Sequence, residues 1–416
     1  MQGSDTQSPL TDEAQAQMNK LNINRGEEQK QNNGAVSQDP SQQYQRHKLA
    51  HANGGLILLD EGNIIPQAFK EILSKLGKKM MKGEFQDMMK TPAPAYMHYP
   101  RTYLEGSAVD LSLAPKYFKQ ASESIGALER LKWVVATYIG GHHINVSQMQ
   151  CRAPLNPILG ETIQRVLPTG EKYYAEQTSH HPPITNFLLE GPDNAYKFYG
   201  HFEYKAWPSG LSSISGSRVG KQIIEFHDGG RISITDPTIQ ISGLTYGDRI
   251  HNYIGNAIYR DEVNKIEAEI IYNPTESTGY LSSLKSKWWS SKKQPLTDII
   301  EVRISQVSDS GQKVLLETGT GSWLSHLEFN GETYWQLSDV YNEWLLPQPI
   351  DGSEEAVKVL PSDSQNRGDM KNLIDRNFDQ AEKNKIDMEE LQRHDKKLRV
   401  AVKKRRAQVA KAAAKQ

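Results

Sequence analysis

Between about residues 160 and 345, apolar side chains recur at every second position, in one short run after another. Tyr196, Phe198, Phe202 and Tyr204 do so around Gly200. Ile232 and Ile234 follow, then Ile239 and Ile241, Ile266, Ala268 and Ile270, and Ile300, Val302 and Ile304. Neighbouring side chains of a strand point to opposite faces, so each run reads as a strand with one apolar face. Gly191-Pro192-Asp193-Asn194, Asp228-Gly229-Gly230, Ser308-Asp309-Ser310-Gly311 and Asn330-Gly331 break the runs with turn-forming residues. Short turns join antiparallel neighbours, whereas parallel strands need long crossovers. The pattern therefore predicts a large antiparallel sheet, built either as a barrel or as a β-sandwich. A large barrel leaves an interior that can hold a ligand.

Helical patterns flank the sheet, giving an α+β chain that is mainly β. Residues 1–50 are rich in Gln, Asn, Ser and Asp with almost no aromatics, and so bury too little surface to order themselves. From 66 to 90, Phe69, Ile72, Leu73 and Leu76 fall at helical spacing among several lysines, a basic amphipathic stretch. Residues 112–140 read as helix again and are followed by Gly140-Gly141-His142-His143, a histidine pair taken as structural or surface. Residues 367–400 read as one long helix or two. The basic tail 396–416 holds nine Lys and Arg and no acid after Asp395. Such a run is most often a solvated face; it also suits an anionic lipid surface.

The 416 residues suffice for one large domain, and the net charge of −1 sets up no global field toward nucleic acid or membrane. Cys151 is the single cysteine, so no intramolecular disulfide forms, which fits a reducing compartment. The N-terminus is polar, without the apolar core of a secretory signal. No run approaches the length of a membrane-spanning helix.

One octet carries chemistry of its own. Glu176-Gln177-Thr178-Ser179-His180-His181-Pro182-Pro183 sets two imidazoles directly before two prolines. Proline holds the preceding residue extended. A histidine pair gripping one ligand belongs where a strand ends and the backbone bends. Imidazole offers N–H donors, and a nearby phosphate favours its charged form. The pair reads as an anion clamp or as a solvated pair at a turn.

The octet closely resembles the EQVSHHPP fingerprint of the oxysterol-binding protein family, with Thr178 replacing the usual Val. Pro154-Leu155-Asn156-Pro157-Ile158-Leu159-Gly160-Glu161-Thr162 is similar to the family's NP-x-LGET stretch. Leu360-Pro361-Ser362-Asp363-Ser364, with Arg367 and Asp369, resembles its LPPTDSRxRPD segment. The resemblance spans roughly 60–400. It implies a near-complete antiparallel β-barrel over 160–345 around a lipid tunnel, with an N-terminal lid at 66–90 and a C-terminal helical segment. It is the pattern of the short, lipid-binding-domain-only members.

The same resemblance implies the binding residues. Lys385, Glu389 and Arg393 are spaced i, i+4, i+8, which by itself reads as a salt-bridge ladder on one helix face. In the family this helix faces the tunnel mouth, and its Lys and Arg contact phosphatidylinositol 4-phosphate together with the histidines. Carried over, the headgroup site comprises His180, His181, Lys385, Arg393, Glu389 and Asn156. One departure stands out: the family's Lys before PxNP is Ala153 here, with Arg152 one residue earlier as its possible replacement. Phe69, Ile72, Leu73 and Leu76 would be lid residues.

HExxH, GxSxG and P-loop patterns are absent, and Cys151 has no metal-site spacing. The sequence thus gives no catalytic residue, metal or cofactor. The resulting expectation is a cytoplasmic lipid-transfer protein, peripheral on anionic membranes or contact sites, that exchanges phosphatidylinositol 4-phosphate for a sterol or phosphatidylserine. It is not expected to be an enzyme or to bind nucleic acid. The alternatives are a lipid sensor or scaffold with the same ligand, and a His-dependent hydrolase.

Overall fold

The computed structural model describes residues 44–59, 93–149, 152–210, 212–274, 296–342, 348–349 and 358–413. The basic amphipathic stretch 66–90, with Phe69, Ile72, Leu73 and Leu76, lies outside them. Residues 44–50, within the stretch of tail-like composition, are packed. Tyr44 stacks on His326 with ring centroids 3.7 Å apart, Arg46 pairs with Asp298, and His47 is buried.

Among the described residues, sixteen strands form one sheet, and every pairing in it is antiparallel. The longest members are β7 (Tyr196–Gly210), β12 (Ile250–Asp261) and β15 (Lys313–Ser322). The hairpins follow the turn signals in the sequence: Asn330 and Gly331, both at positive φ, join β16 (His326–Phe329) to β17 (Glu332–Gln336). The alternation likewise sets the faces. Ile266, Ala268 and Ile270 of β13 (Ile266–Tyr272) are buried and pair in register with β14 (Ile299–Val307), where Val302 and Ile304 are buried too.

Helices pack against the sheet's buried face. After α1 (Tyr103–Val109) and α2 (Ala114–Glu123), α3 runs from Ala127 to Met149 against β12, β13, β16 and β17. The sequence suggested helical structure over 112–140, and α2 and α3 occupy that stretch. The two are separated by a break at Ser124–Gly126, with Gly126 at φ 90°, and the second continues past the glycine pair. Helix α3 is buried nearly all round, which is why it shows no clean amphipathic stripe. Its Gly140 and Gly141 allow close approach: a Cβ there would lie 2.6 Å from Trp335 Nε1 and 2.7 Å from the Asp110 carbonyl oxygen. His142 and His143 are accordingly core residues, and His142 Nε2 lies 2.6 Å from the Tyr272 hydroxyl.

Outside the large sheet, β2 (His98–Thr102) pairs in parallel with β3 (Ala153–Leu155). The C-terminal part forms two helices, α5 (Gly368–Ile374) and α6 (Phe378–Ala413), so residues 396–413 continue α6. No helix among the described residues is long and apolar enough to cross a membrane.

Candidate functional site

Two buried ion networks fix the site's frame. Arg367 donates from Nη1 to Glu161 Oε2 and to the Asn156 carbonyl, each at 2.8 Å, and from Nη2 to Asp369 Oδ2 at 2.6 Å. Glu161 Oε2 also accepts from the Ile158 amide at 2.9 Å, closing the turn after Asn156. One layer away, Arg165 on β4 (Thr162–Val166) pairs with Glu105 and with Asp363, and Ser364 Oγ donates to Glu105 at 3.0 Å. Burial alone would lower the Arg367 pKa, but Glu161 and Asp369 more than offset it, and the guanidinium stays charged. Burial raises the Glu161 carboxyl, with Arg367 acting against it. The segments 154–162 and 360–369 are thus locked together in the interior. That lock delivers the chain to α5 and α6 beside β3.

The histidines sit at a strand end. β5 (Lys172–His180) turns into β6 (Pro183–Glu190) through His181 and Pro182, across a cis His181–Pro182 peptide, and His180 pairs with Pro183. The two rings lie 4.6 Å apart, with His180 half-buried and His181 exposed. His180 is held below its ordinary pKa of 6.5 by burial and by His181; the Pro157 backbone and the Glu389 carboxylate oppose this, and Lys396 adds to it. His180 is therefore within electrostatic reach of both the 154–162 turn and α6.

On α6, Lys385, Glu389 and Arg393 form a ladder, with Lys385 Nζ to Glu389 Oε1 and Arg393 Nη2 to Glu389 Oε2 both at 3.0 Å. Lys385 is buried, and its ammonium depresses the pKa of His98, second to burial itself. A cavity of about 420 Å³ lies against this face, lined by Tyr96, Glu382, Lys385, Ile386, Glu389 and Arg393 among others. The histidines do not line it. His180 Nδ1 and Gln392 Nε2 are buried without a hydrogen-bond partner among the described residues, and the buried Lys385 Nζ has the Glu389 carboxylate beside it.

His180 is thus within electrostatic reach of Glu389, and the His181 ring lies beside that of His180. Asn156 is exposed on the adjoining turn. Arg152 stands half-buried just before β3, and Ala153 opens that strand with its side chain exposed. Sequence reasoning missed Gln392 and Lys396. Both continue the ladder spacing from Lys385 and Glu389, which was signal enough to find them. It also missed the interior role of Glu161, Asp363 and Arg367. Among the described residues no cluster of His, Cys, Asp or Glu is placed to hold a metal.

The family model described as oxysterol-binding protein matches residues 78–412. The chain belongs to the oxysterol-binding protein family. Oxysterol-binding protein 9 of Dictyostelium discoideum is 30% identical over 365 residues, covering 85% of this chain and 81% of that one. Oxysterol-binding protein-related protein 7 of Homo sapiens is 24% identical over 415 residues, covering 95% of this chain but 44% of its own length. Among solved structures, the Osh3 ORD of Saccharomyces cerevisiae in complex with PI(4)P superposes with a TM-score of 0.62 at 20% identity, over 85% of this chain and 88% of that one. The Osh1 ORD domain in complex with cholesterol gives a TM-score of 0.64 at 18% identity, over 86% of this chain and 84% of that one. At these identities the likeness establishes the fold: a mainly antiparallel sheet with a few helices.

Proposed function

We propose that this chain is a lipid carrier that takes the headgroup of phosphatidylinositol 4-phosphate at His180, His181, Asn156, Lys385, Glu389 and Arg393, with Arg152 at the margin. One observation carries the reading. His180, at the β5–β6 turn, and the buried Lys385 both feel Glu389: Lys385 Nζ pairs with it at 3.0 Å, the carboxylate's charge opposes the lowering of the His180 pKa, and His180 Nδ1 has no hydrogen-bond partner among the described residues. Unpartnered buried donors are costly, and an anion that accepts from them relieves that cost. Arg393 supplies a planar fork to phosphate and Lys385 a point charge, while Glu389 orients both and can accept from inositol hydroxyls. The Osh3 and Osh1 structures with PI(4)P and cholesterol support the ligand classes.

In this reading the protein exchanges the phosphoinositide for a sterol or phosphatidylserine between membranes, working from the cytoplasmic side as a peripheral protein. Phe69, Ile72, Leu73 and Leu76 close over the bound lipid as a lid. The domain runs over about 60–400. The experiment is extraction of phosphatidylinositol 4-phosphate from liposomes by the His180→Ala/His181→Ala variant. The expected result is loss of extraction with a nearly unchanged thermal midpoint, because the rings are at a surface turn. Normal extraction by the double variant overturns the headgroup site. Mass spectrometry of lipids co-purified with the intact chain identifies the second cargo.

A further inference from the structure

Helix α6 is 36 residues long, and only its first half touches the fold. Ala381 and Lys385 are buried, and the last half-buried side chain is Asp395. From Lys396 to Lys411 every described side chain is exposed. Isolated helices of about 12–15 residues are marginal in water. The outer half is therefore a helix with no surface of its own fold to rest on.

Its sequence is not that of a solvated rod. Leu391, Leu398, Val402 and Val409 are spaced by seven, four and seven residues, so they fall within about 40° of one another on the helix. They are 62%, 53%, 50% and 62% exposed. Together they form one apolar line roughly 27 Å long at about 1.5 Å per residue. Arg399, Arg405 and Arg406 border the line, and Lys396, Lys397, Lys403, Lys404 and Lys411 cover the far side. No carboxylate follows Asp395.

Three occupants compete for this surface. A second copy would press two such cationic runs together without the opposite charges that flank a stable coiled coil. A soluble polyanion would engage the cations and leave the apolar line unused. An anionic bilayer uses both, with the apolar line at the acyl boundary and the cations among the headgroups. We propose that the outer half of α6 is a docking helix for anionic membrane surfaces. Leu398, Val402 and Val409 enter the interface, and the flanking Arg and Lys hold the headgroups. Because α6 is continuous, docking also keeps Glu389 within about 20 Å of Val402 along the helix, and so near the bilayer. The proposal does not depend on which headgroup the cavity takes.

The test uses the full chain with vesicles of phosphatidylcholine, with or without phosphatidylserine as the only anionic lipid and with no phosphoinositide. The intact protein should sediment with the anionic vesicles and not with the neutral ones. The uncharged substitutions Leu398→Gln/Val402→Gln should weaken binding roughly tenfold with every cation in place, because two apolar anchors are lost. Lys403→Gln/Lys404→Gln/Arg405→Gln/Arg406→Gln should weaken it at least as far and flatten its salt dependence. All six positions are exposed, so the fold survives both changes. Failure of the intact chain to bind anionic vesicles overturns the proposal. So does binding indifferent to Leu398→Gln/Val402→Gln with equal capture by heparin, which points to a polyanion. Concentration-dependent self-association abolished by the same pair points to a second copy and also overturns it.

Discussion

Arg367 and His180 are both close to the proposed headgroup, yet they do different physical jobs. Arg367 is interior: it holds Glu161 and Asp369 and fixes the carbonyl of Asn156. Arg367→Ala leaves two buried carboxylates without their cation, a loss on the order of 3–5 kcal/mol. Chemical denaturation should show it as a large fall in midpoint, whereas His180→Ala should leave the midpoint nearly in place. If the two variants are equally stable, the network is not what locks the segments together. His180 carries a different signature. With no anion present its pKa lies below 6.5, chiefly through burial and His181. A bound phosphate favours the imidazolium and raises that pKa, so binding takes up a proton. Affinity should therefore strengthen as pH falls through the bound-state pKa and level off below the ligand-free one. Calorimetry in buffers of different ionisation enthalpy should register proton uptake near neutrality, and His180→Asn should lose that part of it. Uptake unchanged in His180→Asn would assign the proton elsewhere.

At the scale of elements, α3 shows where local preference loses to packing. Glycine inside a helix is worse than alanine by about 1 kcal/mol, so propensity alone recommends Gly141→Ala. The Cβ would meet the Asp110 carbonyl oxygen at 2.7 Å, against backbone that cannot swing aside. Overpacking of this kind costs about 1–3 kcal/mol, so the clash should win and the thermal midpoint should fall. A rise would mean that α1 and α3 can separate at no cost. The same contact explains why the helix was hard to delimit from sequence. A glycine pair reads as an ending, whereas here it lets Asp110 and Trp335 approach the helix closely while the helix runs on. The strands were far more legible, because one buried face forces a period of two: Ile266, Ala268 and Ile270 announce β13 directly. The histidine turn was legible for the same local reason, since His181 before Pro182 has few conformations open to it. The partners of the motifs were not legible. Nothing in the spacing of Glu161 and Arg367, 206 positions apart, says that they share a hydrogen bond. That knowledge requires the fold.

For the whole molecule, the less legible part was the interior's polarity. Alternation marks which residues are inside, but it does not say that histidines and an arginine go in with them. Arg218 pairs with Asp110 and Asp236 at 2.8 Å, and no spacing in the chain announces that triad. The buried histidines have a consequence for the fold as a unit. Burial lowers His47 and His326 to about 4 and His251 to about 3, and holds His142 and His143 well below 6.5. In the unfolded chain each returns to about 6.5. Between these limits the unfolded state binds more protons, so stability must rise with pH and fall on acidification. The loss begins as pH drops through 6.5 and continues until each folded-state pKa is passed, near 4 for His47 and His326 and near 3 for His251. Asp228 and Glu267, whose pKa values are lowered by their cationic partners despite burial, lose their contribution only below the ordinary carboxylate values of 3.8 and 4.5. Glu161, raised by burial, works in the opposite sense but is a single group. Across the interval from 6.5 to 4.5 the histidines outnumber Glu161, the raised carboxyl that opposes them there, and each contributes a slope of up to about 1.4 kcal/mol per pH unit. Denaturation midpoints should be nearly flat above about pH 7 and fall steadily across that interval. His251→Phe keeps an aromatic ring against Tyr253 and Trp323 while removing the titration, so its slope should be shallower by one proton's worth. An intact protein equally stable at both ends of the interval would show that these rings take up protons without unfolding. A His251→Phe slope identical to the parent's would remove that residue from the acid response.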